Sequence, residues 1–206
     1  MDKFFRLNPE KQKRILNSAL KEFAKKGYKN AMTDEIVNLA GISKGALFQY
    51  FNSKKQLFLY LYEHTLDIIM EEFLEKINFK EKDILKRLRQ ILQIEFILLK
   101  KWPDIFEFIE VVNREETIEI IEELNNINKG HILNTYSKLV EEVDESLFKE
   151  GIKVDKIINI IIWSMEGFGR QERSKMKNIN LNALNTDEIL TEIDIYLKIL
   201  KESFYK

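Results

Sequence analysis

Apolar residues recur every three or four positions along almost the whole chain, the spacing at which side chains share one face of an α-helix. Helix-start signals such as Asn8-Pro9 precede these stripes, and stop signals such as Gly27 follow them. No stretch alternates between apolar and polar residues with turn signals at its ends, so the pattern predicts an all-α fold. The predicted helices cover residues 9–27, 33–40, 44–51, 54–76, 82–101, 104–113, 115–148 (with a possible interruption near 125–130), 155–174 and 187–204.

Two short helices joined by a three-residue turn stand out, over residues 33–40 and 44–51. We expect Thr33 to cap the first and Ser43 to cap the second, and Gly41 gives the turn its backbone freedom. Leu47 and Phe51 point inward, which leaves the other side chains of the second helix nothing to pack on within the motif. A helix-turn-helix presents its second helix to the DNA major groove in this way. A plain helical hairpin with a glycine turn is the alternative.

Charge is distributed unevenly, although the net charge of the 206-residue chain is only −1. Residues 1–56 hold twelve Lys and Arg against five Asp and Glu, so this segment carries +7 and the remainder −8. On charge alone, a solvated lysine-rich surface would explain the basic segment. Because that segment contains the helix-turn-helix, contact with a polyanion is the better interpretation.

The chain resembles the TetR family of transcriptional regulators over residues 8–61. The resemblance rests on three segments: Ile15-Leu16-x-x-Ala19-x-x-x-Phe23-x-x-x-Gly27-Tyr28, then Thr33-x-x-Ile36-x-x-x-Ala40-Gly41-Ile42-Ser43-Lys44-Gly45-x-Leu47-Phe48-x-Tyr50-Phe51, then Ser53-Lys54-x-x-Leu57. Many relatives carry Tyr or His at the position of Gln49, so the operator sequence of this protein is hard to infer from those of its relatives. Beyond this region only the number, order and length of the helices are similar.

The resemblance implies a homodimeric DNA-binding protein, usually a repressor that leaves its double-stranded operator when a small molecule binds. By motif position, Thr33 would hold a phosphate, and Tyr50 and Lys54 would contact the DNA backbone. The residues that would face base edges are Lys44, Gly45, Ala46, Phe48 and Gln49. Elementary chemistry agrees for two of them, since Lys donates to guanine and Gln pairs with adenine.

Residues 1–53 are therefore expected to form the DNA-binding domain and residues 54–206 a helical domain for ligand binding and dimerisation. The helix over residues 54–76 would connect the two. Five further helices of this length are stable only as a bundle, and aromatic residues in them suggest a largely apolar pocket, with ordinary core as the alternative for each residue. The candidate lining residues are Phe96, Leu99, Trp102, Phe106, Ile109, His131, Tyr136, Trp163 and Glu166.

The helix over residues 155–174 is apolar on nearly all sides between Ile157 and Trp163, so it needs cover on two sides. We expect its own bundle on one side and a second subunit on the other, with the last helix completing a four-helix interface. A single larger monomer core is the alternative. The predicted interface residues are Ile161, Phe168, Ile193 and Leu197.

Several classes of function are not expected. There is no cysteine, so disulfides and thiolate metal sites are excluded, and His131 has no second histidine or carboxylate at helical spacing. No nucleophile–base pair or glycine-rich phosphate loop is present, so neither an enzyme nor a cofactor is expected. The charged N-terminus and short apolar runs predict a cytoplasmic protein without a membrane partner. A helical adaptor with a vestigial helix-turn-helix is the alternative to a DNA-binding regulator.

Overall fold

The computed structural model describes the backbone of residues 1–176 and 185–206, and the side chains of these ranges except 130–139 and 173–176. Its helices confirm the predicted all-α fold, and the described residues contain no strand, only an isolated bridge between Phe148 and Tyr205. The helices are α1 (Asp2–Phe5), α2 (Pro9–Asn30), α3 (Thr33–Ala40), α4 (Lys44–Phe51), α5 (Lys54–Lys76), α6 (Ile84–Lys101), α7 (Pro103–Val112), α8 (Ile118–Val140), α9 (Val154–Met176) and α10 (Thr186–Phe204).

Helices α3, α4 and α5 have the predicted bounds, whereas the long helix expected over residues 115–148 was wrong at both ends. α8 begins at Ile118 and ends at Val140. Glu142 then takes a left-handed backbone conformation (φ 56°) that an α-helix does not accommodate. A short 3₁₀ helix, Glu145–Leu147, follows, and the Asp144 carboxylate caps it by accepting from the Ser146 amide at 3.0 Å.

Gly27 breaks α2 rather than ending it. Its φ of 68° and ψ of 174° lie outside the helical region, in a conformation that only glycine adopts without strain. A further helical turn continues to Asn30, so the predicted helix end marks a kink. A Cβ atom at Gly27 would lie 3.8 Å from Val111 of α7, so α7 packs close to the kink.

By internal contacts the chain forms two compact units, each built from two stretches of sequence. Unit 1 contains Met1–Glu71 and Trp102–His131, and unit 2 contains Glu72–Lys101 and Ile132–Lys206. The sequence division at residue 53 falls at the end of the helix-turn-helix, within unit 1. The helix-turn-helix therefore shares its unit with most of α5, with α7 and with the first half of α8.

An aromatic core joins the helices of unit 1. The Phe23 ring of α2 and the Phe58 ring of α5 are 5.0 Å apart between centroids, and Phe108 of α7 covers them at 6.4 and 5.4 Å. All three side chains are fully buried. The Phe108 ring therefore belongs to the hydrophobic core of unit 1.

The short helix α1 contributes one fully buried side chain to unit 1. Phe4 is 0 % exposed, and its ring centroid lies 4.8 Å from Phe51 and 6.2 Å from Tyr50, both on α4. It also meets Tyr60 of α5 edge-on at 5.8 Å. The neighbouring Phe5 is 55 % exposed, so α1 is fixed mainly by one ring beneath α4.

Unit 2 contains a fully buried arginine on α6. The Arg87 guanidinium donates to the Phe79 carbonyl at 3.1 Å, to the Glu81 carbonyl at 2.9 Å and to the Glu141 carbonyl at 2.8 Å. Two residues further along α6, Arg89 forms a partly exposed ion pair with Asp194 of α10, at 2.6 and 2.9 Å. Arg87 thus ties the loop before α6 to the end of α8, while Arg89 links α6 to α10.

The end of α10 is also anchored inside unit 2. The Tyr205 hydroxyl donates to the Asp83 carboxylate at 2.7 Å, and its ring packs edge-on against Phe148 at 5.0 Å. Burial first, and then the adjacent carboxylate, raise the pKa of Tyr205 well above its ordinary value. The hydroxyl therefore remains a neutral donor to Asp83.

Candidate nucleic-acid interface

The turn between α3 and α4 is built by two residues. Gly41 adopts a left-handed conformation (φ 63°, ψ 45°), and the Ile42 amide donates back to the Val37 carbonyl at 3.1 Å, which closes the end of α3. Ser43 then caps α4, as predicted, because its hydroxyl accepts from the Ala46 amide at 3.1 Å. The motif is thus a helix-turn-helix with a defined crossing between its two helices.

Helix α4 presents an outer face with few contacts to its own chain. Leu47 and Phe51 are each 1 % exposed and pack inward, as predicted. Among the predicted base-facing residues, Lys44, Gly45 and Gln49 are exposed and Ala46 and Phe48 are half-buried. No atom of the described residues lies within 4 Å of the position that a Cβ atom would take at Gly45, so a ligand can approach the backbone there. The exposure of this face is what a recognition helix needs in order to contact base edges in the major groove.

Lys44 already has a partner in the free chain. Its ammonium lies 2.9 and 3.0 Å from the two carboxylate oxygens of Asp34, in the first turn of α3. The Lys44 side chain is 53 % exposed and that of Asp34 55 %. We did not anticipate this contact from the sequence, because the two residues are ten apart and meet only through the geometry of the turn.

The expected role of Thr33 as a helix cap was wrong. Met32 occupies the cap position of α3, and no side chain caps that helix. The Met32 amide is instead held by the Glu22 carboxylate of α2 at 2.9 Å. Thr33 is the first helical residue and is half-buried. A polar residue near a helix start identifies the region but not which residue takes the cap position.

The two predicted backbone contacts, Tyr50 and Lys54, both have structural contacts inside unit 1. Tyr50 is 8 % exposed, with its ring near Phe4. The Lys54 ammonium donates to the Ala31 carbonyl at 3.0 Å and lies 4.8 Å from the centroid of the Tyr28 ring. Desolvation by burial is the larger influence and lowers the pKa of Lys54. Lys54 thus holds the segment between α2 and α3 in place through the Ala31 carbonyl, and this structural role does not depend on a contact with DNA.

Basic residues of α2 add to the positive surface of unit 1. An open groove of about 430 Å³ runs along α2 and the end of α3, with Lys13, Arg14 and Lys21 as its basic members and Leu39 as its apolar one. Arg14 also donates to the Ala40 carbonyl at 2.7 Å, which satisfies an end carbonyl of α3. We did not single out Arg14 from the sequence, where it is one of twelve basic residues in the segment.

Comparison with known proteins identifies the family of the helix-turn-helix region. Residues 15–61 match the family model described as bacterial regulatory proteins of the tetR family. The chain is also 27 % identical over 150 residues to the fatty acid metabolism regulator protein of Bacillus subtilis (strain 168). The aligned region covers 70 % of this chain and 76 % of that protein. The helix-turn-helix region of the chain is therefore of the TetR type. The matches support a DNA-binding transcriptional regulator rather than a helical adaptor with a vestigial motif.

Solved structures of the TetR family share the fold over nearly the whole chain. A TetR family transcriptional regulator from Chloroflexus aurantiacus J-10-FL superposes with a TM-score of 0.68 at 20 % identity, covering 100 % of this chain and 98 % of that one. The regulator FadR from Bacillus subtilis, solved in complex with stearoyl-CoA, gives a TM-score of 0.63 at 21 % identity, over 88 % of this chain and 96 % of that one. These likenesses confirm an N-terminal helix-turn-helix followed by a helical region.

The relatives named above are regulators, which agrees with the expectation of a protein that is not an enzyme. Within residues 1–176 and 185–206, no helix is both long and apolar enough to span a bilayer. The described side chains also include no group of three His, Asp or Glu arranged to hold a metal ion.

The predicted ligand-lining residues fall in both units. Phe96 and Leu99 of α6 are half-buried in unit 2, and Trp102, Phe106 and Ile109 are half-buried in unit 1. The side chains of His131 and Tyr136 lie outside the described part of the structure. Trp163 is 63 % exposed and Glu166 is exposed, so within unit 2 these two residues do not line an enclosed cavity.

The predicted dimer residues lie on the inward side of their helices. Ile161 and Ile193 are 0 % exposed, Leu197 is 8 % exposed and Phe168 is 9 % exposed, all within the single chain. These four side chains are already buried within the single chain, and their place in a dimer interface stays a prediction. Helical periodicity located the apolar stripes of α9 and α10 but could not tell which stripe faces its own core. The outward apolar residues are Ile160 and Trp163 on α9, and Ile195, Tyr196 and Ile199 on α10.

Proposed function

We propose that this protein is a cytoplasmic, homodimeric repressor of the TetR type that reads operator DNA with α4 and releases it when a small, largely apolar ligand binds the C-terminal helices. The observation that carries the DNA-reading part is the exposed face of α4, on which Lys44, Gly45 and Gln49 have no packing role. A lysine and a glutamine on such a face match the hydrogen-bonding edges of guanine and adenine. The surrounding basic residues suit phosphates, which contribute affinity without sequence information.

Residues that read bases and residues that position the protein should respond differently to substitution. We expect Lys44→Ala or Gln49→Ala to change the preferred bases, at about 1–3 kcal/mol for each lost contact. Lys54→Gln should weaken binding about equally on all sequences and reduce the salt slope by roughly one unit. The measurement is selection of binding sites from a random duplex pool by each variant, followed by titration at several salt concentrations.

Lys198→Ala, an exposed substitution in unit 2, serves as the control and should leave the selected sequence unchanged. A uniform loss of affinity in Lys44→Ala, Gln49→Ala and Lys54→Gln alike would contradict the assignment of α4 as the reading helix.

The outward apolar residues of α9 and α10 support dimerisation through these helices. Ile160 is 40 % exposed, Trp163 63 % and Ile199 53 %, which is unusual for large apolar side chains that also follow helical spacing. A second copy of the chain would bury them about a two-fold axis, since the same patch on two subunits is self-complementary. A dimer would also place two reading helices on the two halves of a near-palindromic operator.

Charges on this outward face should separate the subunits. We expect the double substitution Trp163→Glu and Ile199→Glu to produce a folded monomer with weakened operator binding, because it places unpaired carboxylates in an apolar contact. Analytical ultracentrifugation at micromolar concentration measures the change. Ser164→Glu is the control on α9, since Ser164 is exposed and polar. An unchanged dimer in the double variant would place the interface elsewhere.

Two observations support a ligand with a long apolar part. Phe96 of α6 and Phe106 of α7 are half-buried aromatic side chains, so each retains some exposed apolar surface. A relative is named a fatty acid metabolism regulator, and a structural neighbour was solved with stearoyl-CoA. A long-chain acyl-CoA is therefore the first ligand to test.

Stearoyl-CoA is expected to lower operator affinity, and operator DNA should lower stearoyl-CoA affinity by the same factor, typically about 5- to 150-fold. Fluorescence of Trp102 in a Trp163→Phe variant reports ligand binding without the signal of the exposed indole. Coenzyme A without the acyl chain is the control and should have little effect. If stearoyl-CoA binds free and DNA-bound protein equally well, it is not the effector, however tight the binding.

A further inference from the structure

The ion pair between Asp34 and Lys44 has a consequence for recognition, and the inference drawn from it rests on the proposed DNA-reading function. Asp34 is an acid on α3, the helix that crosses the DNA backbone in a helix-turn-helix. Its carboxylate is 55 % exposed, so it would repel nearby phosphates and reduce affinity for any duplex. In the first turn of α3 the dipole of its own helix favours this acid, which offsets part of that cost.

Asp34 also acts at the start of α4. Lys44 is the first residue of that helix, where the positive end of the helix dipole disfavours a cation, and the first turn of α4 contains no acid. Asp34 supplies the missing negative charge from the neighbouring helix, with both carboxylate oxygens within 3.0 Å of the ammonium. The pair thus fixes the direction of a side chain that would otherwise be free to move.

The free movement of a lysine matters for selectivity. Its ammonium is a point charge on a flexible stem and can bind whichever acceptor is nearest. On DNA the nearest acceptors are phosphates, which are the same for every sequence, whereas base edges differ. A carboxylate that already holds the ammonium makes exchange to a phosphate less favourable and keeps Lys44 beside the start of the reading helix.

We propose that Asp34 is a specificity-determining residue of the DNA interface, which holds the Lys44 ammonium for base contact and away from the phosphates that any duplex offers. Asp34 itself contacts no base in this scheme and acts by positioning Lys44. The gain is in discrimination between sequences, and the cost is a lower affinity for all of them.

The test compares full-length variants on two duplexes: the sequence that the wild-type protein selects from a random pool, and a scrambled duplex of the same length. The measured quantity is the ratio of the two dissociation constants. We expect Asp34→Asn to tighten binding to the scrambled duplex more than to the selected one. The ratio should therefore fall by about 1.4- to 5-fold, the range set by an exposed ion pair.

Glu35→Gln is the matched control. Glu35 is the next residue of α3, is exposed and carries the same charge, so its neutralisation reports the general loss of repulsion. We expect it to tighten binding to both duplexes equally and to leave the ratio unchanged. In a Lys44→Ala background, Asp34→Asn should then have no more effect on the ratio than Glu35→Gln, because there is no ammonium left to position.

Two results would overturn the proposal. If Asp34→Asn and Glu35→Gln changed the ratio of dissociation constants equally, Asp34 would act only by repelling phosphates and not by positioning Lys44. Persistence of the Asp34→Asn effect without Lys44 would give Asp34 a role of its own. The failure of the underlying function is distinguishable from both, since the wild-type protein would then enrich no sequence from the pool.

Discussion

Replacement of Phe4 by alanine is expected to lower the free energy of unfolding of unit 1 by about 3–5 kcal/mol, the usual range for a truncated buried phenylalanine. The ring is fully buried and contacts both α4 and α5. Its removal leaves a cavity under the helix that is proposed to read DNA. Urea titration followed by Trp102 fluorescence, in a Trp163→Phe background, measures the change in unit 1.

The adjacent residue provides the control. Phe5 belongs to the same short helix but is 55 % exposed, so Phe5→Ala should cost well under half as much. Operator affinity should also fall in Phe4→Ala on every sequence tested, because α4 loses its support rather than a base contact. Equal stabilities of the Phe4→Ala and Phe5→Ala variants would show that α1 does not hold α4 in place.

Substitution of Arg87 by methionine is expected to destabilise unit 2 by roughly 3–5 kcal/mol. Three part-buried carbonyls, of Phe79, Glu81 and Glu141, lose their donor, and a fully buried carbonyl without a partner would cost about 1–3 kcal/mol. Part of this cost is offset, because the guanidinium no longer has to be desolvated. Thermal or urea unfolding followed by circular dichroism measures the loss.

Arg89→Met is the matched comparison on the same helix. The Arg89–Asp194 pair is partly exposed, so its removal should cost about 0.2–1 kcal/mol at most. The two arginines are two residues apart on α6, and they differ in burial and in their partners, which are backbone carbonyls for Arg87 and a carboxylate for Arg89. If Arg87→Met proved no more harmful than Arg89→Met, the carbonyls around Arg87 would have to find other donors.

The order and type of the helices follow from the sequence, because spacing of apolar residues and cap residues are local signals. Ser43 and Gly41 have the predicted roles, and Leu47 and Phe51 are buried as expected. The end of α8 was missed, because the sequence 141–144 has no glycine or proline to mark the left-handed residue Glu142. Propensity gives a weak signal where a polar residue adopts that conformation.

The parts of the candidate site that could not be predicted depend on contacts between distant residues. The Asp34–Lys44 pair requires the crossing of α3 and α4, and the internal contacts of Lys54 require the course of the chain between α2 and α3. The burial of Ile161 and Leu197 could not be predicted for the same reason. When a helix carries two apolar stripes, its sequence does not show which of them packs on the rest of the chain. The same holds for Arg87, because nothing in the neighbouring sequence distinguishes this fully buried arginine from the partly exposed Arg89.

Unit 1 is built from two separate stretches of sequence, and this affects how the chain folds during synthesis. Residues Met1–Glu71 leave the ribosome first, but Trp102–His131, which supplies Phe108 to their core, is synthesised later. At the usual rate of synthesis, residues 72–131 require roughly 3–12 s. During this interval the Phe23 and Phe58 rings lack the Phe108 ring that packs on them, and exposed apolar surface of this kind favours aggregation. The reading helix α4 is therefore among the first segments synthesised, but its unit becomes complete only after more than half of the chain has been translated.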